Sequence, residues 1–230
     1  MRRSILVVSI ALCGLALLAS SAQAASKPRL SFTKSGGATI GWTNTGGSSP
    51  ADPYPNNQSI EVVNPAGGGA SAYTYGAAER LVDIRGESLL GIDYLGFDSK
   101  GDLGAGAPRI SLGTVDTVTS AAHTFFLSAY HCNDPLSGGW RESDFTDSAA
   151  SPGTSTGCLI FDQSGNAFPS IQAAAVLYPN DVVVSSPNDW FFIQDEGPAH
   201  VYVDRLTVEN WMWVRGGNQG IINCNSGDCI

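Results

Sequence analysis

The sequence predicts an all-β fold, a two-sheet antiparallel β-sandwich of jelly-roll type with long surface loops. Three observations carry this expectation. Gly 27 and Pro 12 in 230 residues interrupt the chain too often for long helices. Short runs of β-branched and aromatic residues recur between turn residues. About ten such strands can bury an apolar face each only by stacking in two layers.

The predicted strands follow in order. Leu30-Ser31-Phe32 and residues 38–42 flank Lys34-Ser35-Gly36-Gly37, which reads as a hairpin turn. Further strands are expected at 59–63, 80–85, 89–97, 109–112, 123–130, 157–162, 182–185, 190–194 and 201–209. In the last of these, Val201 and Val203 point one way and Tyr202 and Asp204 the other, so Asp204 must be solvated, hydrogen-bonded or a ligand. Acceptance of backbone N–H groups or pairing with Arg109 is the expected outcome. Short helices are expected at 72–81 and 171–177. Residues 43–57, 65–72 and 148–156 are rich in Gly, Ser, Pro and Asn without apolar period, and read as surface loops or mobile arms.

The N-terminus has the three parts of a secretory signal: Arg2-Arg3, an apolar run over 5–19, and Ala22-x-Ala24. The run is shorter than the roughly 20 residues that span a bilayer, so residues 1–24 are read as a cleaved signal peptide and 25–230 as a single β-sandwich domain. The general secretory route is favoured over twin-arginine export because the basic segment is so short. A lipoprotein reading through Cys13 fails because Leu12 precedes it where a small residue is needed. The predicted location is therefore secreted, with no membrane insertion after processing. Without Arg2 and Arg3, 10 basic residues face 21 acidic ones, a net charge of −11, which excludes a phosphate backbone as partner.

Four cysteines remain: Cys132, Cys158, Cys224 and Cys229. In an exported chain an even count means disulfides, with three connectivities. Sequence order favours Cys132 with Cys158 and Cys224 with Cys229, the second pair closing over a turn of Asn225, Ser226, Gly227 and Asp228. A four-cysteine zinc site would need C-x2-C pairs, and none exists.

From residue 89 onward the chain is similar to exported β-sandwich domains of no established activity. The segments are Leu90-Gly91-Ile92-Asp93-Tyr94, residues 104–112, 125–132 and 140–145, and the closing strand Val201-Tyr202-Val203-Asp204-Arg205-Leu206-Thr207-Val208. The entry Gly106-Ala107-Pro108-Arg109 and that closing strand also resemble jelly-roll modules that bind carbohydrate. The resemblance covers about half the processed chain and implies fold more than activity.

Candidate chemistry is sparse. Ser128-Ala129-Tyr130-His131-Cys132 resembles the histidine-bearing strand of chymotrypsin-like proteases, but no Gly-Asp-Ser-Gly-Gly segment supplies the nucleophile. His123, His131 and His200 fit no zinc spacing. Asp83 and Glu87 resemble the acids of sandwich-type glucanases, with Leu81 where a third acid belongs. Asp195 and Glu196 precede Gly197-Pro198 and read as a turn. No cofactor is expected beyond a structural calcium, for which Asp98 and Asp102 across a tight turn, or the oxygen-rich stretch 162–166, are the candidate ligands. Asn57-Gln58-Ser59 is a glycosylation sequon. Among Trp42, Trp140, Trp190, Trp211 and Trp213, the expected ligand contacts are Trp140, Trp211 and Trp213, because an exposed indole can stack on a sugar ring. The sequence thus points to a secreted, non-catalytic sandwich that binds carbohydrate or another extracellular surface ligand. The alternatives are a glycoside-acting enzyme of the same fold and a purely structural or adhesive envelope protein.

Overall fold

The computed structural model describes residues 30–34, 37–52, 58–64, 71–76, 84–103, 108–132, 134–146, 157–184, 192–196, 199–209, 211–213 and 221–223. In chain order the strands are β1 (Leu30–Lys34), β2 (Thr39–Thr43), β3 (Ser59–Asn64), β4 (Ser71–Gly76), β5 (Leu95–Gly101), β6 (Arg109–Asp116), β7 (Ala122–Cys132), β8 (Asp134–Pro135), β9 (Trp140–Asp144), β10 (Cys158–Asp162), β11 (Ala167–Phe168), β12 (Asp181–Val183), β13 (Phe192–Glu196), β14 (Ala199–Val208), β15 (Trp211–Trp213) and β16 (Ile221–Asn223). They form two antiparallel sheets. The first runs β1-β4-β13-β6-β7-β10-β11, with β12 also on β6; the second runs β16-β15-β14-β5-β9-β8, with β3 on β14 and β2 on β3.

The core lies between the sheets because each strand turns alternate side chains inward. From the first sheet come Ile110, Leu112, Phe125, Leu127 and Ile160; from the second, Ile60, Val62, Leu95, Phe97, Val201 and Val203. Phe97 packs on Phe145 at 5.7 Å between ring centroids. The predicted all-β sandwich is therefore what the chain forms.

Several local expectations are corrected. The predicted hairpin at 34–37 does not exist: β1 pairs with β4 in the first sheet and β2 with β3 in the second. The chain passes from the first sheet to the second between β1 and β2, and turn chemistry alone does not tell this from a hairpin. The helix expected from residue 72 begins as strand β4, whose ladder to β1 and β13 overrides the helical preference of Ala72; residues 77–83 lie outside the described residues. The helix expected from residue 171 does form, over Ile171–Ala174, capped by Ser170, whose side chain accepts from Ala173 N–H.

The N-terminal 29 residues, Trp190, and Cys224 with Cys229 lie outside the described residues. Cys132 and Cys158 are joined as expected, directly opposite one another on β7 and β10.

Candidate functional site

Among the described residues, two places on the outer sides of the sheets gather polar or aromatic side chains. The first lies on the outer side of the first sheet. Phe125, Leu127 and Ala129 of β7 point into the core, so Phe126 faces away from it. Phe126 stands directly opposite Phe161 of β10, and the Arg109 guanidinium lies over the Phe126 ring at 5.0 Å.

Beyond Phe126 the ladder between β7 and β10 is broken by a bulge. Leu127 pairs with Ile160 and Cys132 with Cys158, so five steps along β7 span the same stretch as two along β10. Bulges re-aim side chains, and here the surplus residues bring His131 onto Phe161 with ring centroids 4.6 Å apart. Tyr130 meets His131 edge-on at 5.0 Å and is 54 % exposed. The result is a continuous row of planar groups, Tyr130, His131, Phe161 and Phe126, the last three half-buried. Burial holds His131 below the ordinary imidazole pKa, favouring the neutral ring.

Among the described side chains this row, and not Trp140, is the candidate binding surface. Trp140 is only 3 % exposed, with the Lys100 ammonium 5.9 Å from its ring centre; a covered indole presents no face to a ligand, so the expectation for Trp140 is corrected. Trp211 and Trp213 occupy alternate positions of β15, as expected for an extended segment, and their side chains lie outside the described residues. Sequence reasoning missed Phe161 because only the three-residue surplus in β7 brings it against His131, and it missed Tyr130 because adjacency in the chain does not tell an exposed ring from a core one.

The second place is the outer side of the second sheet. Phe97 points inward, so Asp98 points outward, directly opposite Asp204 on one side and Glu142 on the other. Asp98 and Asp204 are nevertheless fully buried, because residues 44–52 fold back across this face. The Ser49 N–H donates to Asp204 Oδ2 at 2.7 Å, and the Ser49 hydroxyl donates to Asp98 Oδ2. Arg205 Nη1 donates to Asp98 at 3.2 Å and lies 3.7 Å from Glu142. The Arg205 backbone N–H donates to Asp204 Oδ1 at 2.9 Å.

Asp204 thus accepts backbone N–H groups as expected, while Arg109 belongs to the other sheet and the neighbouring cation is Arg205. Burial, more than any neighbour, pushes Asp204 up to about 8 and Asp98 to about 6.

The calcium expectation does not fit this geometry. Asp98 and Asp102 do not flank a turn: β5 runs on to Gly101, and four extended steps of about 3.3 Å separate the two by about 13 Å. Coordination at roughly 2.4 Å from both is then out of reach. A dication at Asp98 would also stand against the Arg205 guanidinium. Asp102 is exposed beyond the strand end.

In the stretch 162–166, Asp162 already accepts from Ser164 N, Asn166 N, Asn166 Nδ2 and the Tyr178 hydroxyl, at 2.8, 2.9, 2.6 and 2.5 Å. Burial pushes its pKa up, and those four bonds outweigh burial and hold it below the usual range. Among the described residues, no three His, Cys, Asp or Glu side chains are grouped to hold a metal ion.

Glu87 is exposed, Asp83 lies outside the described residues, and only the backbone of Asp195 and Glu196 is described, on β13. His123 donates to or accepts from Asp181 at 2.8 Å, and the Thr114 hydroxyl donates to the same carboxylate oxygen at 2.5 Å. His200 is bound to Glu61 at 2.7 Å. No protein-family model matches the chain, and neither the curated proteins nor the solved structures contain a match to it.

Proposed function

We propose that this chain is an exported, non-catalytic β-sandwich that binds carbohydrate along the row Tyr130, His131, Phe161 and Phe126. The observation that carries the reading is the bulge in β7, which lays these planar groups side by side on the outer face of a sheet. Sugar rings present apolar C–H faces that stack on aromatic rings, and a rigid sheet supplies such rings at small entropic cost. Tyr130, exposed over half its surface, offers both a ring face and a hydroxyl.

The reading accounts for export as well as binding, since the N-terminal segment has the composition of a secretory signal. Catalysis is not required by any described group. The two buried acids of the second sheet are closed from solvent and already hydrogen-bonded.

The test is a pull-down with insoluble polysaccharides, together with a glycan array, using folded and oxidised protein. Retention by at least one glycan, weakened tenfold or more by Tyr130→Ala, is expected. A blank result across both formats overturns the reading.

A further inference from the structure

The buried acids of the second sheet are closed from water by a segment, not by the sheet itself. Residues 44–52 lie over β5 and β14, and Gly46 is so close to Tyr202 that a Cβ there would come within 2.3 Å of its ring. Ser49 ties this segment to both carboxylates, its N–H to Asp204 and its hydroxyl to Asp98.

The charges facing the pair come from every element around it. β14 contributes Arg205 and Tyr202, and β5 contributes Lys100, whose Nζ donates to the Gly46 carbonyl at 3.4 Å. Tyr94 precedes β5, with its hydroxyl against Gly96. β9 contributes Glu142 and Asp144, and β3 contributes Glu61 beside Tyr202. The covering segment itself brings Asp52, which is buried. Carboxylates therefore outnumber cations, and Arg205 is already shared between Asp98 and Glu142.

We propose that residues 44–52 form a latch whose closure requires one proton held by the Asp98–Asp204 pair, so that the latch lifts as pH rises. When the pair loses that proton to bulk water, a second negative charge appears in a buried site whose guanidinium is already shared with Glu142. Water must enter to solvate it. The sheet cannot open for this, since β14 is laddered to β5 and β3 on either side. The segment can, because its own backbone bonds are few, from Gly47 N–H to Asn44 and from Asp52 N–H to Ser49. Burial raises both carboxylates, and the charges of Asp52 and Asp98 raise Asp204 further. The proton's hold on the latch therefore weakens as pH rises above the ordinary carboxyl range, about 4, and is gone above about 8.

Hydrogen exchange of the full oxidised chain tests this. After correction for intrinsic rates, protection of a peptide covering 44–52 is expected to fall by up to about tenfold per pH unit as pH rises from about 5 toward 8 and to level off above it, because one proton is released per opening only while the closed state still holds it. A β7 peptide is expected to stay protected throughout. Asp204→Asn, which keeps an acceptor without a charge, is expected to hold the latch closed at all pH values. Flat protection in the unmodified chain overturns the proposal, and so does loss of protection in β7 at the same pH or an unaltered profile in Asp204→Asn. Should that variant not fold, a 13C carboxyl titration of Asp204 decides: a midpoint above 6 supports the latch, and one near 4 overturns it.

Discussion

Asp98 and Asp204 stand opposite each other on adjacent strands, and Ser49, 155 positions from Asp204 in the chain, hydrogen-bonds both. Stability should therefore depend on pH in an unusual direction. A carboxyl whose pKa is higher folded than unfolded binds its proton more tightly in the folded state. Its stabilisation is complete below about pH 4 and is lost as pH rises toward about 8, the value to which burial pushes Asp204. The melting temperature is expected to fall by on the order of 5 °C between pH 5 and pH 8. Asp204→Asn should flatten that slope in a calorimetric series. An equally steep fall in the variant would assign the dependence to other groups.

Arg205 holds Asp98 and lies near Glu142 while its own backbone adopts φ +47°, a left-handed conformation that favours glycine. The same residue stands where the β14–β5 register shifts, between Asp204 and Thr207. The strained position turns the guanidinium back over the acids. Arg205→Ala leaves buried carboxylates without a counter-charge and is expected to cost about 3 kcal/mol in urea unfolding. Arg205→Lys keeps the charge but loses the planar donor geometry, and should recover only part of it.

How far the sequence reached depends on whether the signal is local. The alternation in Val201-Tyr202-Val203-Asp204 is local, and it placed two valines in the core and Asp204 opposite them. The Cys132–Cys158 pairing was also legible, because four cysteines leave few connectivities. The covering of Asp204 was not, because Ser49 sits in a Gly- and Ser-rich stretch that reads as an unattached arm. Asp98-Ser99-Lys100-Gly101-Asp102 has turn composition, yet cross-strand pairing with β9 and β14 extends it as far as Gly101. The aromatic row was invisible for a different reason: the surplus of residues between Leu127 and Cys132 is a relation between two strands.

The Cys132–Cys158 bond encloses residues 133–157, with a sequence separation of 26. Such a crosslink removes loop-closure entropy from the unfolded chain worth about 3 kcal/mol. Replacing both cysteines by alanine is expected to lower stability by that amount in denaturant melts, with the far-ultraviolet β spectrum retained. Because the bond borders the bulge, the variant should also broaden the NMR signals of Tyr130 and His131.

Gly46 offers a way to move the latch without touching a charge. A methyl group there would enter the Tyr202 ring and approach the Ser59 hydroxyl at 2.8 Å, so Gly46→Ala must push the segment outward. The expected outcome is loss of exchange protection over 44–52 at pH 6, where the unmodified chain is protected. The carboxyl titration of Asp204 should shift toward the ordinary aspartate value at the same time, since water then reaches it. Retained protection in this variant would mean that the segment packs more loosely than the Gly46 to Tyr202 approach implies.

Binding and stability should separate on the other sheet. Tyr130 is more than half exposed, so truncating it removes little buried surface, and Tyr130→Ala is expected to change stability by less than about 1 kcal/mol while weakening glycan retention tenfold or more. Trp140→Phe should do the reverse, because that ring is buried under Lys100 and takes no part in the row. Phe161→Ala lies between: it removes the ring that joins His131 to Phe126, so both binding and stability should fall. If Trp140→Phe abolished retention while Tyr130→Ala left it intact, the ligand would have to sit on the second sheet, and the row on β7 and β10 would be packing alone.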